Sequence, residues 1–451
     1  MAKKGKGGNI YRRPTRPSHT SSSSSDLSSQ QHLTGKSLPE DLIVEILCRT
    51  LAKSLVRFRC VCKSWLSLTH HPKFIDMHLK RNLSQNKRLV LHGFAPNLTA
   101  RVMCLFHVDE PLVPLYELKR NYVRRSDYPD NFSFAEFFDE MEFCGSVNGI
   151  ICLSHSQNEE GGRHVSWGSF AVLWNPAINR TKLVSLPPRK SLFDIWQMVS
   201  VGLGYDAAND DYKIIRLVSV AIPDVVGHIE SRVEIYSSNK DCWKPVCNGA
   251  KINFYPRLPN CSFIVKGVPY WHNDKLGLGA FDPRTGMYKN IPYPRFVKNE
   301  RTEVHPVNMM DKVSALVYSP GEIPNQMVDL YVLDSSGLWI KGITTGPIAG
   351  EALRMPQCLT TGEIVVEMWK GETSDYRSTF FYDPKTSHCS SKFVAFQSLW
   401  YQSYCHVESL VSVKGMEPFG NESKNKKKPW TKNRDKYLSE GFKLVLRFYE
   451  V

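Results

Sequence analysis

From Leu38 onward the apolar residues fall into helical stripes. In "LPEDLIVEILCRT", Leu42, Ile43, Ile46 and Leu47 take the i, i+1, i+4, i+5 spacing of one helix face, with Ser37 placed to cap and Pro39 in the first turn. In "AKSLVRFRCVCKSWLSL", Leu55, Phe58, Val61, Cys62 and Trp65 recur every three or four residues, while Lys53, Arg57, Arg59, Lys63 and Ser64 take the other side. That pattern predicts a second, continuous helix on which Cys62 is a small buried hydrophobe and Cys60 lies off the stripe. "HPKFIDMHLKRN" carries an early proline, then Phe74, Met77 and Leu79, which predicts a short third helix.

After residue 88 the helical period gives way to short β runs. "RLVLHGF", "GIICLS", "FAVLW", "YKIIRLVSV", "RVEIYS" and "EIVVEMW" are rich in β-branched and aromatic residues and are separated by turn-forming Gly, Asn, Asp and Pro. "NDD" at 209–211 predicts a hairpin turn, since Asn and Asp bond their own backbone there. An aromatic–Asn/Asp–Pro turn occurs at Trp174-Asn175-Pro176, Phe281-Asp282-Pro283 and Tyr382-Asp383-Pro384, with "VEIYSSNKDCW" and "VDLYVLDSSGLW" between. The markers Trp174, Tyr236, Phe281, Tyr331 and Tyr382 recur at intervals of roughly 45–60 residues, close to the length of one four-stranded propeller blade. Each aromatic is expected to end an inner strand and point into the packing between blades. A sixth unit assembled from the two ends, roughly 88–105 with 401–415, would close a ring without exposed edges. The expectation is an α+β multidomain chain, with a small three-helix module followed by an all-β, propeller-like domain of about six blades. A two-sheet β-sandwich is the alternative.

Composition changes this picture mainly at the ends. Residues 1–36 include "SSSSS" and few large apolar groups, so they bury too little surface to offset the entropy of ordering and are expected to be a disordered tail. The helical module then spans 37–82 and the β domain 88–417, with 418–451 a basic tail whose last residues, "FKLVLRFYEV", alternate like a strand. Seven basic side chains stand against Asp26 alone in residues 1–36, and nine against four acids in 418–451, so most of the formal +14 lies in the tails. Such runs bind nucleic acid non-specifically or act as nuclear import signals. No run of about 18 apolar residues and no secretory leader is visible, which gives an expectation of a nuclear or cytoplasmic chain without membrane insertion.

Candidate chemistry is sparse. "RFRCVCKSW" at 57–65 sets Cys60 and Cys62 one residue apart, yet zinc sites need two further ligands at paired spacing, and His70 and His71 follow on chain already leaving the helix. "GLGY" at 202–205 and "GLGA" at 277–280 run into aromatic–Asp turns and not into a helix, so strand or bulge glycines are the better reading than phosphate loops. With no nucleophile elbow and no His-x-x-x-His pair, the sequence predicts no catalytic residues, no metal and no cofactor.

Residues 37–47 ("SLPEDLIVEIL") and 53–79 resemble the F-box motif, in which Leu-Pro opens the first helix and Val-Cys-Lys-x-Trp closes the second; here these are Leu38, Pro39, Val61, Cys62, Lys63 and Trp65. The resemblance implies docking on the S-phase-kinase-associated adaptor and, through it, on a cullin-RING ubiquitin ligase. Under it, Leu38, Pro39, Leu42, Ile43, Ile46 and Leu47 supply most of the adaptor contact, while Val61, Cys62, Lys63 and Trp65 shape the seat. Plant members usually carry Leu-Pro where this chain has Thr50-Leu51; loss of the proline implies a looser first linker or a longer helix. "GSVNGIICLS", "LWNPAINRTKLVSLP", "GLGYDAANDDYKII", "VEIYSS", "GVPYW" and "ESLVSV" are similar to the F-box-associated domain of plant proteins, often grouped with kelch-type propellers. Together these imply a non-catalytic substrate receptor whose β domain binds a target protein. The alternative is a non-ligase nuclear scaffold or a nucleic-acid-associated protein acting through its basic tails.

Overall fold

The computed structural model describes residues 38–85, 88–95, 100–107, 141–155, 170–187, 197–221, 229–246, 261–273, 277–294, 302–319, 326–348, 354–359, 361–369, 377–390 and 400–418. The expected N-terminal tail, the basic C-terminal tail beyond Pro418 and the strand reading of "FKLVLRFYEV" lie outside the described residues.

Among the described residues four helices, and not three, precede the strands: α1 (Glu40–Cys48), α2 (Ala52–Phe58), α3 (Lys63–His70) and α4 (Pro72–Gln85). The expected second helix is split across residues 59–62. The N–H groups of Cys60 and Val61 reach back three residues, to the carbonyls of Arg57 and Phe58 at 3.3 and 3.0 Å, which tightens the end of α2. Cys62 is then extended, at φ −158° and ψ 163°, and its carbonyl starts α3 by accepting from Leu66 N–H. A valine between two cysteines is a poor helix former, and the break sets Trp65 against Phe58, with ring centroids 5.7 Å apart. Cys62 is therefore exposed at the start of α3 and not buried on an apolar stripe.

α1 and α2 also separate, at Thr50–Leu51, although no proline stands there. Leu51 takes an extended ψ of 141° and its carbonyl accepts the Leu55 N–H at 3.0 Å. The Thr50 carbonyl is held from α4, where fully buried His78 donates Nε2–H to it at 2.9 Å. A defined break pinned by a side chain replaces the expected loose linker or lengthened helix.

The remainder is all β, arranged among the described residues as six antiparallel sheets. In chain order β1 (Arg88–Ala95) and β2 (Ala100–His107) come first. Sheet I holds β3 (Met141–Val147), β4 (Ile150–His155), β5 (Phe170–Asn175) and β6 (Arg180–Ser185); sheet II holds β7 (Gln197–Asp206), β8 (Asp211–Ala221), β9 (Ile229–Ser237) and β10 (Cys242–Pro245). Sheet III holds β11 (Phe263–Val265), β12 (Val268–Asn273), β13 (Gly277–Asp282) and β14 (Met287–Ile291); sheet IV holds β15 (Glu303–Met309), β16 (Lys312–Tyr318), β17 (Gln326–Leu333) and β18 (Trp339–Ile348). Sheet V holds β19 (Arg354–Cys358), β20 (Ile364–Trp369), β21 (Arg377–Asp383) and β22 (His388–Ser390). Sheet VI joins distant parts of the chain: β1 lies between β2 and β23 (Trp400–Cys405), with Leu89 opposite Cys405 and Phe94 opposite Trp400. This ladder is the counterpart of the expected pairing of 88–105 with 401–415. Last, β24 (Glu417–Pro418) pairs with β6.

Apolar cores lie between successive sheets. Leu173, Leu203, Ile214 and Tyr236 join I to II, and Ile215, Trp271 and Phe281 join II to III. Leu278 and Val313 join III to IV, and Leu316, Val366 and Tyr382 join IV to V. Sheet VI meets V where Cys405 Sγ–H donates to the Cys358 carbonyl at 3.0 Å, and meets I where Tyr404 stacks on Phe143 at 4.0 Å between centroids. The five marker aromatics are all buried, as expected, and each stands on the third strand of its sheet, which is paired on both sides. Three of them, Trp174, Phe281 and Tyr382, are followed by the same turn: Asn175, Asp282 and Asp383 each accept, on Oδ1, the backbone N–H two residues on, at 3.0, 2.8 and 2.9 Å.

The "GLGY" glycines are packing residues. A Cβ on Gly202 would stand 2.7 Å from the Trp271 ring of sheet III, and one on Gly204 would meet Ile215 and Pro283. Glycine there lets the neighbouring sheet approach the backbone of β7.

Candidate functional site

The helical module exposes apolar groups that a lone soluble module would bury. Leu38 is 56% exposed, Leu42 50% and Ile46 54%, and Pro39 is exposed beside them in sequence. The Pro39 carbonyl starts α1 by accepting from Leu42 and Ile43 N–H at 3.0 and 3.2 Å, leaving the proline ring in the first turn where its missing N–H is harmless. On α1, Leu42 and Ile46 are one turn apart and share a face. Ile43 is half-buried, and Leu47 is buried at 1% exposure, so Leu47 packs the module from within.

The second group of sequence candidates gathers at the turn between α2 and α3. Val61 is 60% exposed, Cys62 and Lys63 are exposed, and Trp65 is half-buried against Phe58. Cys62 Sγ lies 3.1 Å from Ser64 Oγ, and this hydrogen bond lowers the thiol pKa from its ordinary value. Cys60 points elsewhere and donates Sγ–H to the Arg57 carbonyl at 2.8 Å. His70 bonds the Leu66 carbonyl at 2.8 Å, and no group of three His, Cys, Asp or Glu side chains among the described residues is arranged to hold a metal. Three exposed apolar side chains were missed by the helical-stripe reading, Leu51 in the α1–α2 break, Leu66 on α3 and Leu83 near the end of α4. Leu51 and Leu66 fell outside it because the chain breaks at 50–51 and 59–62 and the helix axis does not run on through them.

In the β domain, the first strands of sheets I to V and β23 of sheet VI converge on a cavity of about 330 Å³. Ser146, Tyr205, Lys266, Asn308, Cys358 and His406 line it, together with Leu83 from the end of α4. Its wall is knitted by Ser146 Oγ with His406 Nδ1 at 2.8 Å and by Asn308 Nδ2 donating to the Ile264 carbonyl at 2.8 Å.

Against known families, residues 36–76 match the profile of the F-box domain. Residues 164–325 match that of the F-box associated beta propeller domain. The chain belongs to the plant F-box proteins. One F-box protein of Arabidopsis thaliana is 30% identical, with 46% of each chain covered. An F-box/kelch-repeat protein from the same organism is 26% identical over 49% of this chain and 54% of the relative. The chain spans about half the length of the curated relatives it matches. Among solved structures, an oligogalacturonate lyase in complex with manganese is similar at a TM-score of 0.34 and 9% identity, covering 68% of this chain and 85% of that one, a likeness too distant to inform activity. Within the F-box match lie all ten sequence-derived candidates, from Leu38 to Trp65.

Proposed function

We propose that this F-box protein is the substrate-recognition subunit of an SCF-type cullin-RING ubiquitin ligase. The observation that carries the reading is the exposure of Leu38, Leu42 and Ile46 within the matched F-box, apolar groups that need a partner to leave water. The S-phase-kinase-associated adaptor is that partner. Leu38, Pro39, Leu42, Ile43 and Ile46 form the main contact, Val61, Cys62, Lys63 and Trp65 the seat, and Leu51 and Leu66 extend it. Leu47 supports the contact from inside the module. The chain itself carries no catalytic step; it brings a target protein to the ligase in the nucleus or cytoplasm.

The β domain is read as a six-bladed propeller. Each of sheets I to V has its first strand at one edge, these first strands and β23 line one cavity, and sheet VI combines strands from the two ends of the domain. Such an arrangement leaves only short, protected strand edges and gives a stiff platform for loops that hold the target.

Co-expression of the full chain with the adaptor tests the proposal: a stable one-to-one complex that survives deletion of residues 1–36 and 418–451 is expected. A chain that stays free of adaptor overturns it. Binding that disappears with the tails, and weakens steeply with salt, supports a tail-driven nucleic-acid-associated protein instead.

A further inference from the structure

The segment 406–413, directly after β23, belongs to no sheet and is buried over most of its length, Ser412 being exposed. Val407, Leu410 and Val413 are buried in it, and Ser409 is fully so. Buried carbonyls without a ladder need other donors, and here two asparagine side chains supply them. Asn82 on α4 donates Nδ2–H to the Glu408 carbonyl at 3.0 Å. Asn175, fully buried at the end of β5, donates to the Ser409 and Val411 carbonyls at 3.1 and 2.7 Å. Ser409 Oγ–H donates in turn to the Asn148 carbonyl at 2.6 Å, in the turn between β3 and β4. The fit around it is close: Gly149 sits at φ +85°, and a Cβ there would overlap the Ser409 hydroxyl. Downstream, Lys182 Nζ holds the Lys414 carbonyl at 2.8 Å and β24 pairs with β6.

We infer that residues 406–413 form a single clasp for two joints, the joint between β23 and sheet I and the joint between α4 and the β domain. The Glu408 and Ser409 carbonyls belong to consecutive, planar peptide units. One is held by α4 and the other by sheet I, so a displacement that frees one pulls on the other. The set of α4 on the β domain and the attachment of β23 are therefore coupled, and by reciprocity each stabilises the other. This follows from the hydrogen bonds alone and holds whatever partner the F-box takes.

Hydrogen–deuterium exchange on the full chain tests the coupling, using Asn175→Ala, Asn82→Ala and the milder Ser409→Ala. Asn175→Ala touches only sheet I and the clasp, yet it is expected to raise exchange about tenfold in α4 as well as in β3–β6, by the loss of hydrogen bonds worth about a factor of ten. Asn82→Ala is expected to raise exchange in α4 and also in residues 406–413. Ser409→Ala gives the same paired response at smaller size, which keeps the test available if Asn175→Ala does not fold. Increased exchange confined to sheet I, with α4 at its wild-type rate in both Asn175→Ala and Ser409→Ala, overturns the coupling. So does a uniform increase that includes sheets III and IV, because that marks general loosening.

Discussion

His78 holds the Thr50 carbonyl at 2.9 Å across the break between α1 and α2, from a position on α4 with no exposed surface. It stacks on Phe74 at 6.2 Å between centroids, and Asn82 lies 3.4 Å from its ring. One buried imidazole thus does for the α1–α2 break what a proline does by covalent restriction.

Removing it is expected to weaken the whole module. His78→Ala leaves the Thr50 carbonyl without its donor and opens a cavity, together about 2–4 kcal/mol, read as a fall in the denaturant midpoint. Burial lowers the His78 pKa, opposed in part by the Thr50 carbonyl and by Glu408. The unfolded chain therefore binds a proton at a pH where the folded chain does not. The stability this gives is complete above the unfolded value of about 6.5 and is lost as pH falls below it toward the folded pKa. In His78→Asn that slope of stability against pH should flatten; an unchanged slope would exclude His78 as its source.

On α1, exposure separates contact from support. Leu42→Ala and Ile46→Ala remove half-exposed groups, so each should weaken adaptor binding about tenfold or more while the melting temperature stays within a degree or two of wild type. Leu47→Ala, at a buried position, should instead destabilise the chain by about 2–5 kcal/mol. Titration calorimetry with the adaptor, beside thermal melts, reads both quantities. Full binding by the Leu42→Ala, Ile46→Ala double variant would remove these residues from the interface.

Cys62 makes the opposite case from its sequence reading. It is exposed at the N-cap of α3, where no side-chain capping bond is made. Serine is a better cap, so Cys62→Ser should leave stability unchanged or raise it by about 0.5–1 kcal/mol. The Ser64 bond that lowers its thiol pKa should also make Cys62 react with iodoacetamide at near-neutral pH well before buried Cys144, whose thiol is pushed up by desolvation. Peptide mapping of the alkylated chain checks the order.

Much of this was legible in the sequence, and the misses share a cause. Periodicity located α1 and α4 and the β runs, and the Asn/Asp-Pro turns gave the repeat because their side chains bond locally, within two residues. The pairing of β1 with β23 was also inferable, since a repeat that is incomplete at both ends can be completed by joining them. What failed was continuity through 59–62. A stripe drawn at 3.6 residues per turn assumes an unbroken axis, whereas Phe58 and Trp65 meet only because the axis turns between them. The clasp at 406–413 has no periodic signal at all. Its bonds run to Asn82, Asn148 and Asn175, more than two hundred residues away in sequence.

Gly202 offers a test of how tightly sheets II and III are set. The Trp271 ring lies over it, fully buried with Ile215, Leu217 and Phe281, and an added methyl would approach the ring to 2.7 Å. Contact that close is below van der Waals separation, so the ring or β7 must move. Trp271 cannot withdraw easily, because Cys261 and the backbone of β7 bound the same space. Gly202→Ala should therefore destabilise by about 1–3 kcal/mol through overpacking, although alanine is otherwise better tolerated in a strand than glycine. Coupling it with Trp271→Phe, which vacates the overlapped part of the indole, should recover part of the loss. A double-mutant cycle on the denaturant midpoint measures that coupling; strict additivity would show that the ring and the glycine do not share the space.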